Sequence, residues 1–204
     1  MAGRWFEDGA LHLGLGIEDT FVPQTRPGER AIDEYELTEH DERFAEDFAL
    51  AAGVGAEYLR WGVPWYRVQP ARDRWDWSWT DRALDAMAGC GLRPIIDLVH
   101  YGTPLWLARE FANADYPHRV AEYAARFAQR YGDFAVDYTP LNEPVVHALF
   151  SGEYGYWPPY LTGVQGFTTI AVNLARGVVL SQHAISEALG GRATFVHVDA
   201  AMAF

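Results

Sequence analysis

The chain has 204 residues, half of them apolar, which is enough for one sizeable core and too few for two full domains. Its formal charge of −12, from 28 acids against 16 bases, disfavours nucleic acid or an anionic membrane surface as a partner, and simple solubility accounts for the excess. Every base is an arginine, so a Schiff-base lysine and a Walker-type phosphate loop are excluded, and no apolar run approaches the ~20 residues needed to span a bilayer.

The opening stretch, Met1 to Asp8, carries acids where the core of a secretory leader would lie. Cys90 is the only cysteine, so no internal disulfide can form and a reducing, cytoplasmic setting is expected. Leu11 to Ile17 reads as a short strand broken by Gly14 and Gly16, and a turn-rich stretch with Pro23, Pro27 and Gly28 follows. Thr38 is the expected cap of a helix carrying Phe44, Phe48 and Ala52, which Gly53 ends. Ala56 to Val63 is the second strand. Ser78 to Asp81 caps the next helix, with Leu84 and Met87 on its apolar face, and Gly89 and Gly91 close it. Cys90, at that helix end, reads as buried filler. Leu92 to Val99 is the third strand. Pro117 opens a helix bearing Val120, Tyr123, Phe127 and Tyr131, ended by Gly132. The fourth strand spans 135–141, a long helix runs from about Thr168 to Leu189, and the fifth strand covers 193–198.

Strands that are mostly apolar runs, alternating with helices, predict a parallel sheet covered by helices. An open doubly wound sheet and a (β/α)8 barrel both fit. Gly14-Leu15-Gly16 lacks the third glycine of a dinucleotide-binding turn, whereas polar and aromatic residues cluster just after strands two, three and four, as they do at the active face of a barrel. The strongest single signal is Asn142-Glu143-Pro144 at the end of strand four. Pro144 stops the strand, and Glu143 can reach a ligand from a rigid backbone, which suits general acid/base work. Taken singly, each candidate has a plain structural reading: a surface loop acid at Glu143, a structural ion pair at Arg60, a satisfied core histidine at His100. Trp75, Trp77 and Trp79 read as packing residues under the helix layer.

Three segments together resemble glycoside hydrolase family 1, the β-glucosidase-like retaining enzymes. Leu59-Arg60-Trp61-Gly62-Val63-Pro64-Trp65-Tyr66-Arg67-Val68-Gln69-Pro70 resembles its second-strand motif, roughly Arg-Phe-Ser-x-Ser-Trp-x-Arg-Ile-x-Pro. Leu98-Val99-His100-Tyr101-Gly102-Thr103-Pro104 resembles the third-strand Leu-x-His-Trp-Asp-x-Pro, and Thr139-Pro140-Leu141-Asn142-Glu143-Pro144 the fourth-strand Thr-x-Asn-Glu-Pro. The resemblance covers most of the chain and implies an α/β fold of the (β/α)8 TIM-barrel type. Residues 1–204 would form the amino-terminal part of a single barrel domain, incomplete, with about the first five β/α units.

The resemblance also implies roles. Glu143 is the general acid/base of a retaining β-glycosidase, protonating the glycosidic oxygen and later activating water. Asn142 holds the sugar 2-hydroxyl, His100 bonds other hydroxyls, and Arg60 lies on the barrel floor to position and charge-stabilise the nucleophile. Tyr101, Trp106 and Trp157 are candidate platforms for a sugar face. The family's first-strand glutamine has no counterpart in Gly16-Ile17-Glu18-Asp19-Thr20-Phe21, where Glu18 can bind sugar hydroxyls in its stead or be a loop acid. Tyr101-Gly102 replaces Trp-Asp. The nucleophile's strand-seven motif is absent from this sequence. No cofactor is expected, and without His-x-His or His-Glu-x-x-His spacing no metal either. The expected partners are a small neutral carbohydrate and a complementing carboxy-terminal half. A non-catalytic carbohydrate-binding or partner-dependent barrel fragment is the alternative. Ending after strand five would leave two unpaired edges and an uncovered inner face lined by Leu59, Ile96 and Val196, so self-association is the default expectation for the chain alone.

Overall fold

The computed structural model describes residues 4–200. The chain begins its regular structure with β1 (Gly14–Ile17). A small antiparallel hairpin follows, β2 (Phe21–Val22) and β3 (Ile32–Asp33), which the turn-rich composition of that stretch conceals. Helix α1 (Glu34–Leu37) is capped by Asp33, whose carboxylate accepts from the Glu36 amide at 3.2 Å. Thr38, expected to cap the next helix, instead ends α1, its hydroxyl donating back to the Glu34 carbonyl at 2.7 Å. The chain turns through Glu39, in the left-handed region at φ 60°, and α2 (His40–Gly53) begins one residue later.

Three further β/α steps and a last strand complete the described chain. Strand β4 (Tyr58–Gly62) is followed by the short α3 (Trp65–Val68) and by α4 (Ser78–Gly89), whose first amide and hydroxyl bond the Asp76 carboxylate. Strand β5 (Arg93–Asp97) leads through a 3₁₀ turn at Glu110–Ala112 to α5 (Tyr116–Tyr131). Strand β6 (Asp137–Thr139) leads to α6 (Pro144–His147), a π-helical turn at Ala148–Glu153, and the long α7 (Gly163–Ala188). Strand β7 (Thr194–Phe195) closes the series. The sheet order is β1-β4-β5-β6-β7, parallel throughout, so each new strand is laid beside the previous one as the barrel expectation requires. The strands are shorter than the apolar runs that announce them. Leu11 is 97% exposed, and only the Leu13 carbonyl joins the ladder, accepting from Glu57.

The helices bury one stripe each. Val120, Tyr123, Ala124, Phe127 and Ala128 of α5 recur at helical spacing and are buried. They face the buried Ile170, Leu174 and Ile185 of α7. The tryptophans pack as the sequence implies. Trp61 stacks on Trp79 at 5.5 Å between ring centroids, and Trp65 on Tyr123 at 5.1 Å, with Trp75 and Trp77 stacked beside that pair.

Alternation along the strands corrects one expectation. Leu59 and Ile96 are fully buried, but on the outer face, under the helices with Trp61. The inner face carries Tyr58, Arg60, Arg93, Asp97 and Asp137: Arg93 donates to Tyr58 at 3.1 Å, and Arg60 pairs with Asp97. Side chains change face at every residue, so a face assigned one position out exchanges the apolar set for the polar one. Val196 lies beyond β7 and is half-buried.

Helix α7 meets the π-helical turn where two glycines touch. A Cβ on Gly166 would lie 2.1 Å from the Gly152 carbonyl oxygen, so no side chain fits without moving backbone. Gly166→Ala is expected to cost on the order of 1–3 kcal/mol of stability. Urea unfolding measures it, and a loss below about 0.5 kcal/mol would show that the contact is not tight.

Candidate functional site

The carboxyl ends of β4, β5 and β6 and the turns beyond them converge on one cluster. The ladder extends past the strands: Leu98 N–H bonds the Thr139 carbonyl at 3.0 Å, Asn142 N–H the Val99 carbonyl at 3.0 Å, and Glu143 N–H the Val198 carbonyl at 3.0 Å. These bonds hold the turns that carry His100, Asn142 and Glu143 in register with one another. The Phe21 amide reaches the His100 carbonyl at 3.2 Å and ties the β2–β3 hairpin to the same rim. That hairpin is clamped from below by Arg67, which meets Asp33 and Asp41 at 3.1 Å each, and by Phe21 stacked on Tyr66. Glu18 and Asp19, just before the hairpin, are thereby fixed beside β4.

Arg60 organises the centre. Its Nη2 donates to Asp97 Oδ2 and, at 2.5 Å, to Asn142 Oδ1. The second bond sets the amide orientation, so Asn142 Nδ2 points at His100 Nε2, 3.2 Å away, and towards Glu143 Oε2 at 3.4 Å. His100 Nδ1 lies 2.8 Å from Asp97 Oδ2. A carboxylate only accepts, so Nδ1 carries the hydrogen and Nε2 accepts from Asn142. Glu18, more than half exposed, sits 3.5 Å from His100 Nε2 and 3.9 Å from Arg60 Nη1. The Tyr101 hydroxyl donates to Glu143 Oε2, and the Tyr101 ring lies 4.9 Å from Trp157.

Two buried groups extend the cluster below the rim. Asp19 is 7% exposed, and its Oδ1 has no partner. Burial, and then the neighbouring Asp97, push its carboxyl well above the usual range, while Arg60 pulls the other way. Its place exists because residue 62 is glycine: a Cβ there would fall 1.7 Å from Asp19 Oδ1. His147 is fully enclosed between Tyr101 and Phe111, each 4.7 Å away, and burial together with His100 lowers it to about 3, so its ring is neutral. Asp19, Asp97 and His100 bring potential ligand atoms within 4.8 Å of one another. The Arg60 guanidinium already lies on Asp97 Oδ2, so the cation of this trio is an arginine, and we assign the group to an ion-pair network rather than to a metal.

Of the residues picked from sequence, Arg60, His100, Asn142, Glu143, Tyr101 and Glu18 come together. Trp106 does not join them by any contact among the described residues; its indole N–H bonds the Gln69 carbonyl at 2.9 Å and its ring packs on the core. Arg60 is in an ion pair, as its plain reading held, and is also bonded to the Asn142 amide oxygen. Sequence reasoning missed the pairing of Asp97 with Arg60 and the enclosure of His147. A lone acid inside the apolar run Pro94-Ile95-Ile96-Asp97-Leu98 was the available signal for the first.

Because Asp19 keeps its proton in the fold above about pH 4, where the unfolded chain has released it, its burial costs stability as pH rises from there through its folded titration point. Asp19→Asn removes that dependence. The variant should match the parent near pH 4 and exceed it at pH 7 in urea unfolding, and parallel curves at both values would refute the assignment.

The sequence profile described as Glycosyl hydrolase family 1 matches residues 1–193. Thermostable beta-glucosidase B of Thermobispora bispora is 32% identical over 165 residues, covering 75% of this chain and 33% of that protein. Aryl-phospho-beta-D-glucosidase BglA of Bacillus subtilis is 31% identical over 145 residues, 66% of this chain and 29% of its own length. A solved beta-glucosidase from Thermotoga maritima, in complex with cyclophellitol, superposes with a TM-score of 0.74 at 23% identity over 79% of this chain and 38% of that one, a likeness of fold. The chain thus spans about a third of the length of the curated relatives it matches.

Proposed function

Because the chain belongs to glycosyl hydrolase family 1, we propose that it is the amino-terminal part of a retaining β-glycosidase barrel acting on a neutral β-linked sugar, with Glu143 as general acid/base. The observation that carries this reading is the convergence of Glu143, Asn142, His100 and Arg60 at the carboxyl rim of three consecutive parallel strands. Beta-glucosidase, the name of several relatives, makes a β-glucoside the first substrate to test.

In this reading Glu143 protonates the departing glycosidic oxygen, then takes a proton from the water that releases the sugar. Asn142, its amide oriented by Arg60, offers Nδ2 to the sugar 2-hydroxyl, and His100 offers Nε2 as an acceptor to a second hydroxyl. Retention needs a second carboxyl group about 5–5.5 Å from the first. Asp97 is committed to Arg60 and His100, and Asp19 is buried, so neither is free to attack carbon. We place the nucleophile on a later strand supplied by the rest of the barrel.

The two sheet edges favour a partner-dependent assembly. On β1, Leu15 and Ile17 border a groove of about 630 Å³ that Leu50 and Val54 of α2 also line. At the other end, Val145, Phe167, Ala171 and Val178 border an apolar groove of about 330 Å³ beside α7. A further β/α unit packed at each end would cover both. The free Cys90 fits a reducing, cytoplasmic setting, which we propose as the location. The chain alone should self-associate in light scattering and show no turnover of aryl β-glucosides until a carboxy-terminal barrel fragment is added.

In the assembled barrel, Glu143→Gln should slow alkyl glucosides by roughly 10²–10⁴-fold. Aryl glucosides with good leaving groups, which need little protonation, should lose far less in the glycosylation step. Equal losses on the two substrates, with glycosylation rate-limiting, would remove Glu143 from the role of proton donor.

A further inference from the structure

We propose that Tyr101 is a positioning residue for the acid/base carboxylate: its hydroxyl holds Glu143 Oε2, leaving Oε1 as the oxygen that exchanges a proton with a ligand. This deepens the glycosidase reading and rests on it for its catalytic meaning. Two donors meet on Oε2. One is the Tyr101 O–H, and the other is Asn142 Nδ2 at 3.4 Å, whose direction Arg60 sets. An oxygen that accepts twice is a poor place for the mobile proton, because protonating it opposes both donors.

The phenol is held from every side. Its ring lies 4.8 Å from His100, 4.7 Å from His147 and 4.9 Å from Trp157, and the residue is 9% exposed. His147 is neutral and adds no charge. The other charged or titratable groups around the pair are His100 on the same turn and Glu18 before the hairpin. Backbone geometry on both partners is unusual for their residue types: Tyr101 has φ 69° and Glu143 φ 40°, each in the left-handed region that favours glycine. Two strained non-glycine residues whose side chains meet is the pattern of a geometry kept for its site. Burial, and then the bond to Glu143, raise the Tyr101 phenol, which therefore stays a donor throughout the neutral range.

The test needs no turnover. The 204-residue chain, in the assembly that light scattering shows for it, is labelled with ¹³C at the tyrosine ζ carbon, Tyr101→Phe assigns the signal, and the sample is taken from neutral to acid pH in the range where circular dichroism shows the fold intact and light scattering the same assembly. Tyr101→Trp serves the assignment if the Phe variant does not fold. The Tyr101 signal should shift in one step as its acceptor is neutralised. The step should survive in Glu18→Gln and vanish in Glu143→Gln. A flat trace in the parent chain, or a step that persists in Glu143→Gln, overturns the proposal. If Glu143→Gln does not fold, the parent and Glu18→Gln traces decide: loss of the step in Glu18→Gln assigns it to Glu18 and overturns the proposal. A complete absence of glycosidase activity leaves these outcomes unchanged, so failure of the positioning role and failure of the glycosidase reading are told apart.

Discussion

One guanidinium holds the site together. Arg60 points into the barrel interior from the middle of β4 and bonds two side chains from two different strand ends, Asp97 and Asn142. Asp97 is only 2% exposed, and the guanidinium supplies its buried partner. Its second bond decides which end of the Asn142 amide turns to His100 and Glu143. His100 is then fixed from both sides, by Asp97 on Nδ1 and Asn142 on Nε2. A buried charge network of this kind contributes little net stability and a great deal of definition, since removing one member strands the others. Both bonds leave one guanidinium nitrogen, whose two N–H groups are fixed in the plane of the group, a direction that a freely rotating ammonium does not impose.

The polar interior follows from the period of a strand. Tyr58, Arg60 and Gly62 share one face of β4, and Leu59 and Trp61 the other. The helices claim the apolar face, so whatever chemistry the strands carry is directed inward. Gly62 extends the logic by one position, because its missing side chain is filled by Asp19 reaching across from the neighbouring strand end. The result is a carboxyl group buried beside Asp97 below the rim, and burial first, then that neighbour, raise the titration of Asp19. An inner face that carries charge is also less adhesive than an apolar one. Apolar side chains are left instead at the two edge grooves, beside Leu15 and beside α7.

Much of this was legible in the sequence because the strands of the parallel sheet are announced by apolar runs and the long helices by a spaced stripe. Order, parallel pairing and the convergence of Arg60, His100, Asn142 and Glu143 needed only that pattern and three motifs. The misses share a cause. Thr38 looked like a cap by type, but Glu39 takes the left-handed turn, and a backbone angle leaves no trace in residue type when the residue is not glycine. The hairpin at Phe21–Val22 and Ile32–Asp33 has two-residue strands, too short for any period to show. Leu59 and Ile96 were put on the inner face because hydrophobicity says that a residue is buried without saying by which layer. Trp106 was a platform by type, and only the position of the Gln69 carbonyl shows where its indole points.

The departures from the family motifs are not independent of one another. The glycine at 62 opens the slot that Asp19 fills, and Asp19 stands beside Asp97, the acid that engages Arg60. Tyr101, in the place of a tryptophan, puts an O–H on Glu143 Oε2, and Gly102 beside it admits Phe21, since a Cβ there would lie 2.3 Å from the Phe21 carbonyl. The hairpin that delivers Phe21 also delivers Glu18 to His100. The changes at 62 and 102 each make room for a neighbouring residue, and the change at 101 adds a donor to Glu143. The floor of this cleft is therefore better understood as a repacked unit, tight at Gly62 and Gly102 and left with one unpartnered carboxylate oxygen at Asp19.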